Sequence, residues 1–529
     1  MDKASQIGQT SAVGSLHLFL GKMVSTVILA IGTIIVGMLI SEGDYGLYAV
    51  ALVPATTLML FQDWGVGAAV IKYCAHYRAT NQQDNLKKII SAGLIFSVTT
   101  GVILTVISLL LANFIASEIF AKPQSAFLIA LVSISILFSS ILGTSQSIFV
   151  GFERMKLSSY AMACQAIVQG MLAPLLVFFG YGAMGAAIGY TVALMIAGAF
   201  SLSVVYFFIY RQLKPEKVVK FRLSEPLKLM LNFGVPLALA SLMSGLLIQF
   251  YSFMIASFVD APTIGNYRIA TNFGILLTFF TIPIATVLFP AFSKVDAKND
   301  RGLLKKIFES AIKYAAFIVL PVAMAMMVLS DVLIGTLYGD KWLLAPFFLA
   351  LVVIDYGVSS TIGSATLGNL LSALGETKMM MKLNIVTLLI GVPMAYFMIP
   401  QLGILGMLIV YNLAGLPSFF AGAYWTWKHY DTKANFLASA KIFFSSTVAT
   451  LVTYIFVGSL NSADWIRLAA GILVFATTYL IVSPLMGAIS RTDIENLRGM
   501  FSNFGFLSKV LEIPLKLMEW ALKKTRAKH

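Results

Sequence analysis

Apolar runs of about 20 residues or more follow one another along almost the whole chain, each closed by a short polar or Gly/Pro-containing turn. A run of that length lets an α-helix cross hydrocarbon, where every backbone amide and carbonyl must be paired inside its own segment. Fourteen such spans are read, at 14–39, 46–70, 89–112, 124–149, 159–179, 183–210, 229–257, 267–292, 311–335, 343–373, 382–399, 403–427, 436–458 and 464–489. Hydrophobic residues are 59% of the 529 and charged ones only 11%, whereas about a quarter of a soluble domain is charged. The expected fold is therefore an all-α polytopic membrane protein.

The spans repeat. Gly182-Ala-Met-Gly185-Ala-Ala-Ile-Gly-Tyr190 is echoed by Gly403-Ile-Leu-Gly406-Met-Leu-Ile-Val-Tyr411. Gly46-Leu-Tyr48 is echoed at nearly the same offset by Gly265-Asn-Tyr267, and the basic turn Gly151-Phe-Glu-Arg154 by Gly375-Glu-Thr-Lys378. Duplication of one half predicts two pseudo-symmetric six-helix lobes, 1–210 and 229–427, joined by a basic linker, 211–228, and followed by an extra helix pair, 436–489. Two similar membrane lobes are the plan of a secondary transporter. The tail, 491–529, places Leu507, Val510, Leu511, Met518, Ala521 and Leu522 at helical spacing opposite lysines and glutamates, which predicts an amphipathic helix on the cytoplasmic leaflet. Tyr190 and Tyr411 read as equivalent packing positions.

Counting loops alternately from a cytoplasmic N-terminus places only Lys122, Arg268, Lys341 and Arg467 of the 37 Lys and Arg residues at or near the outside. That asymmetry predicts a multi-pass protein of the cell membrane with both termini cytoplasmic. The net charge of +14 then reflects topology and anionic inner-leaflet lipid, and no nucleic-acid partner is expected. The first apolar run is long enough to remain as helix 1 rather than a cleaved leader. Cys74 and Cys164 are too few for a disulfide framework, and His17, His76, His429 and His529 are scattered. Short outward loops leave no room for a catalytic domain, and the inward ones lack Gly-rich phosphate loops. The chain is expected not to be an enzyme and to hold no cofactor, a coupling Na+ or H+ aside.

Glu42-Gly-Asp44-Tyr45-Gly46-Leu47-Tyr48, Asp63-Trp-Gly65-Val-Gly67, Ile264-Gly265-Asn-Tyr267, Leu288-Phe-Pro290-Ala-Phe-Ser293-Lys294 and Ala373-Leu-Gly375-Glu-Thr-Lys378 together give the chain its resemblance to a family. It resembles the multidrug/oligosaccharidyl-lipid/polysaccharide exporter superfamily, and within it the polysaccharide and lipid-linked oligosaccharide flippases. The resemblance implies alternating access between two lobes, with helices 1, 2, 7 and 8 lining a central cavity. The implied substrate is a polyprenyl lipid carrying a glycan on a phosphate or diphosphate, moved to the outer leaflet. Membrane lipids and a glycan polymerase or ligase are the implied partners. Two rivals are an ion-coupled antiporter of organic cations and a non-transporting scaffold of a glycan assembly complex.

Candidate substrate-binding residues are Lys22, Arg268, Gln249 and Asn272. Lys22 lies roughly 12 Å into helix 1, where it either faces the cavity to bind phosphate or snorkels to the head groups. Arg268, at the start of helix 8, suits bidentate phosphate binding at a gate, against an outer-leaflet anchor. Gln249 and Asn272 offer hydrogen bonds to sugar or to neighbouring helices. Asp355, deep in helix 10, is a candidate ion-coupling carboxylate because an intramembrane acid is costly, a neutral structural Asp being the alternative. Asp63, in helix 2, is a second ion-coupling candidate or a packing residue. Pro236, Pro283, Pro290 and Pro393 are candidate hinges.

Overall fold

The protein is described here from a computed structural model covering residues 3–213, 223–274, 276–277, 292, 295, 300–433, 436–501 and 506–526, with side chains omitted at 3–17, 240–241, 500–501, 506–511 and 525–526. These residues are mostly helical, with no strand among them. Contacts divide the chain into two compact units, one formed by 1–268 and 388–410 and the other by 269–387 and 411–529.

The first unit holds α1 (Lys3–Leu39), α2 (Glu42–Met59), α3 (Val66–Ala79), α4 (Gln83–Phe114), α5 (Ala126–Gly151), α6 (Met155–Leu176), α7 (Gly182–Phe208), α8 (Ser224–Phe258) and most of α9 (Ala261–Asn272). α1 lies along α6, and α5 packs against α4 and α7. Small residues set these distances, and some of the buried serines bond to the preceding turn: Ser97 Oγ donates to the Gly93 carbonyl and Ser133 Oγ to that of Ile129.

The second unit begins with α10 (Arg301–Val328), α11 (Ser330–Tyr338), α12 (Ala345–Ile362), α13 (Ser364–Ala373) and the first part of α14 (Thr377–Leu402). It continues from the end of α15 (Ile404–Ala414) through α16 (Leu416–Tyr430), α17 (Phe436–Ser459), α18 (Asp464–Leu485), α19 (Arg491–Phe501) and α20 (Phe506–Arg526). α10 packs on α12 and α17, and α17 on α18.

Ten helical stretches of the described residues are long and apolar enough to cross a membrane, eleven if the bent pair in α8 counts as one. The expectation of fourteen differs for local reasons. Span 46–70 is broken where Trp64 and Gly65 adopt positive φ, giving α2 and α3, and span 343–373 is broken at Gly363, φ 84°. The apolar stretch Met155–Gln212 reverses at Gly180 and Gly182, so two expected spans register as one. Most of span 267–292, with Pro283 and Pro290, and half of the basic linker, 214–222, lie outside the described residues. α8 bends by 55° just after Pro236, which removes one helical hydrogen bond.

In the tail, Leu507, Val510 and Leu511 of the expected stripe lie outside the described side chains. Met518 and Ala521, with Leu515, are buried in a core with Phe317 of α10, Ile442 of α17 and Phe475 of α18, so this part of α20 packs on protein. Arg498 of α19 bridges Glu512 and Glu519 of α20 at 3.0 and 2.9 Å. α19 is fastened to α10 by Asp493, which accepts from Lys313, from Ser490 and, at 3.2 Å, from the Tyr314 hydroxyl. Burial alone would push the Asp493 carboxyl up, but the hydrogen bonds from Lys313 and Ser490 outweigh it and hold it below the usual carboxylate range.

A depressed carboxylate contributes stability that is present above its unfolded value of about 3.9 and is lost as the pH falls through the lower folded value. Asp493→Asn is expected to remove that contribution at neutral pH as well. Amide exchange across α19 should accelerate about tenfold, as expected for one charged hydrogen bond, with α10 still protected. Unchanged exchange would show that the ion pair does not hold α19.

Candidate functional site

The sequence places α2 under Ser41, whose Oγ accepts the Asp44 amide at 3.1 Å, with Glu42 and Asp44 in the first turn where the helix dipole favours acids. Against this helix start lies the start of α9, capped by Asp260 through the Thr263 amide at 3.0 Å. The two echoed tripeptides meet here. A methyl carbon built on Gly46 would sit 1.7 Å from the Ala261 carbonyl oxygen, and one on Gly265 2.2 Å from that of Glu42. Only glycine permits this backbone-on-backbone approach. Asn266 Nδ2 donates to Glu42 Oε2 at 3.0 Å, and Lys122 Nζ donates to the Ala256 carbonyl at 2.7 Å. By the charge asymmetry of the sequence, this is the end expected to face outward.

Arg268 follows Gly265 by one helical step and is exposed. Its charge acts on the hydroxyls of Tyr48 in α2 and Tyr190 in α7, and Tyr48 pairs with Tyr45 at 6.1 Å between ring centroids. A cation within electrostatic reach of two phenols, one helical turn from a closed helix crossing, can attract a phosphate.

At the other end of α2, Gly65 and Gly234 of α8 approach equally closely: a methyl on Gly65 would lie 2.0 Å from the Gly234 carbonyl oxygen. Asp63 is tied into this break, its Oδ1 accepting the Gly67 amide at 2.7 Å and so capping α3. Between the two contacts, Gln249 Oε1 of α8 accepts from Thr56 and Thr57 of α2, each at 3.3 Å. Gln249 and Thr57, with Ser257, also form the polar part of a groove of about 500 Å3, otherwise lined by residues such as Leu246, Phe250, Phe253 and Leu388. Gln249 is thus an interhelical bond in this structure. Lys22 is exposed on α1, next to Gly21, which lies against Ser159 of α6.

In the second unit, Asp355 sits half-buried on α12, and its charge acts on the neighbouring Tyr356 and on Tyr411 of α15. The polypeptide just beyond Asn272 meets the same helix: a methyl on Gly274 would lie 3.0 Å from the Tyr356 hydroxyl. An acid flanked by two phenols can exchange a proton or contribute oxygen ligands to a monovalent cation. Among the described residues no three His, Cys, Asp or Glu side chains converge as a metal site.

The six residues singled out from the sequence are therefore distributed: Arg268, Gln249, Lys22 and Asp63 in the first unit, and Asn272 and Asp355 in the second. The sequence reading treats Tyr190 and Tyr411 as packing positions. Tyr190 and Tyr411 are the echoed pair, and each stands beside a charge, Arg268 in one unit and Asp355 in the other. Their shared position in the repeat was the available signal.

A family model described as polysaccharide biosynthesis protein matches residues 18–346. An uncharacterized membrane protein of Methanocaldococcus jannaschii, MJ1068, is 22% identical over 383 residues, 69% of this chain and 74% of its own. The probable low-salt glycan biosynthesis flippase Agl15 of Haloferax volcanii is 21% identical over 252 residues, 47% of this chain and 53% of its own. Among solved structures, the lipid II flippase MurJ in an inward closed conformation superposes with a TM-score of 0.70 at 16% identity, over 88% of this chain and 98% of that one. This last likeness is one of fold.

Proposed function

Because the chain belongs to that family of polysaccharide biosynthesis proteins, we propose that it is a flippase for a lipid-linked glycan. It carries a polyprenyl-(di)phosphate-linked oligosaccharide or polysaccharide precursor from the cytoplasmic to the outer leaflet of the cell membrane by alternating access. Its two termini lie in the cytoplasm. The observation that carries this reading is Arg268 with its two tyrosines, one turn inside the glycine-closed crossing of α2 and α9.

An anionic, hydroxyl-rich head group cannot enter hydrocarbon, because its charge and hydrogen bonds lose their hydration. A fixed cation with phenolic partners offsets that loss while the polyprenyl tail stays in lipid. The Gly46–Gly265 contact must part to release the head group outward, and the Gly65–Gly234 contact is the counterpart that parts to admit it. Lys22 draws the phosphate in from the cytoplasmic side, and Asn272 contributes a sugar contact. Asp355 is the ion-coupling residue, taking Na+ or H+ as the empty carrier returns, whereas Asp63 serves as a helix cap. A membrane-bound polymerase or ligase is the partner that consumes the product. The relatives' names support this reading, one being a probable glycan flippase and one a lipid II flippase.

Depleting the protein in its host and measuring lipid-linked oligosaccharides by mass spectrometry, with their accessibility on each leaflet, tests the reading. A completed glycan should accumulate on the cytoplasmic leaflet alone. No accumulation, together with new sensitivity to cationic compounds, would instead favour an organic-cation antiporter built on Asp355.

A further inference from the structure

We propose that a groove between α4 and the C-terminal part of α7, more than three helical turns from Tyr190, is a binding site for an anionic phospholipid of the inner leaflet. The groove has a volume of about 470 Å3 and is lined by α4, α7 and Tyr210 in the turn after α7. Along α4 one face runs Lys87, Ser91, Leu94 and Ile95, and at 1.5 Å rise per residue the lysine stands roughly 12 Å above the isoleucine. α7 and the turn after it supply the opposite wall in the same order of polarity: Tyr210 at the top, Tyr206 below it, then Ser203 and Leu202.

The top of the groove is organised. Ser91 Oγ donates to the Tyr210 hydroxyl at 3.2 Å, Tyr206 and Tyr210 stack at 6.2 Å, and Lys87 Nζ lies 5.1 Å from the centre of the Tyr210 ring. Arg211 is exposed beside Tyr210 and Lys88 is half-exposed beside Lys87. None of the ion pairs seen among the described residues engages Lys87, Lys88 or Arg211. Three cations at head-group depth, hydroxyls at glycerol depth and an apolar trough at chain depth match the profile of one anionic lipid.

The polarity profile also selects between sources of such a lipid. Below the cations only Ser91, Ser203 and the two phenols are polar, which leaves no lining for an oligosaccharide. The groove also lies on helices other than α2, α8 and α9. The occupant is therefore a bulk phospholipid with a small anionic head, such as phosphatidylglycerol, and not the glycan carrier.

The full-length protein in phosphatidylcholine nanodiscs, doped with a phosphatidylglycerol bearing a diazirine in its acyl chain, provides the test. Mapped after irradiation, labelling should concentrate on residues 94–95 and 202–207, about fivefold above that of the matched phosphatidylcholine probe. Lys87→Gln should bring the two probes about fivefold closer, since one basic residue near an anionic surface is worth about 1 kcal/mol. Leu202→Trp, which fills the trough, should lower labelling by both probes at this site. Equal labelling by the two probes in the unmodified protein, or labelling spread over other helices, would overturn the proposal. So would displacement of the label by a polyprenyl phosphate but not by unlabelled phosphatidylglycerol, which would make the groove an entry site for substrate.

Discussion

Gly46→Val is expected to abolish transport, lowering flipping at least a hundredfold, while the protein still folds and inserts. At this position even a methyl carbon would fall 1.7 Å from the Ala261 carbonyl oxygen, less than half an ordinary carbon–oxygen contact. The obstacle is backbone, not a side chain that can rotate away. α2 and α9 must separate, breaking the Asn266–Glu42 hydrogen bond and the Gly265 contact with them. A displacement of that kind costs about 3 kcal/mol or more against the closed state, and about 2.7 kcal/mol already shifts a two-state equilibrium a hundredfold. The carrier would then remain open at this end.

Gly43→Val is the matched control, because a Cβ built there meets nothing within 4 Å. It should transport normally. Reactivity of a cysteine placed near Tyr48, in a background free of Cys74 and Cys164, should rise in the Gly46 variant toward membrane-impermeant reagents added from outside. Normal flipping by Gly46→Val would mean that the crossing never has to close.

The helical class and membrane character of this fold were legible because spans of apolar residues leave no alternative in lipid. The breaks inside those spans were harder to read. Nothing in the hydropathy of 46–70 distinguishes a continuous helix from α2 and α3, since Trp64 and Gly65 are compatible with either; the break exists because Gly65 must reach the backbone of Gly234, far along the chain. The tail shows the converse problem. Its amphipathic pattern was visible, but a stripe such as Leu515, Met518 and Ala521 packs equally well on lipid or protein, and the Lys313–Asp493 pair that decides it joins residues distant in sequence.

The candidate site was legible in its charges and not in its surroundings. Arg268 and Asp355 stand out because charge is rare in such a chain. Their tyrosine partners do not stand out, since Tyr48, Tyr190 and Tyr411 are ordinary residues for membrane helices. Asp63 and Gln249 drew attention for the same reason as Arg268, yet the structure uses one as a helix cap and the other as an interhelical acceptor. A polar group in an apolar span must find some partner, and only the fold reveals whether that partner is protein.

Arg268→Ala should lower flipping ten- to a hundredfold, with normal insertion and an intact outer crossing. The range follows from removing one charge-assisted contact to a phosphate, worth about 1.5–3 kcal/mol. Arg268→Lys should restore part of the activity, because a lysine keeps the charge but presents a point donor in place of the planar fork. Lys22→Ala should weaken transport less when substrate is abundant, since its proposed role is capture from the cytoplasmic side. Asp355→Asn should instead change the dependence on the ion gradient, leaving downhill exchange of substrate in place. If Arg268→Ala and Lys22→Ala both flip at the normal rate, the phosphate is not held by these cations and Arg268 is an anchor to outer-leaflet lipid. If Arg268→Ala alone fails and Arg268→Lys recovers, charge beside Tyr48 and Tyr190 is what carries the head group past the crossing.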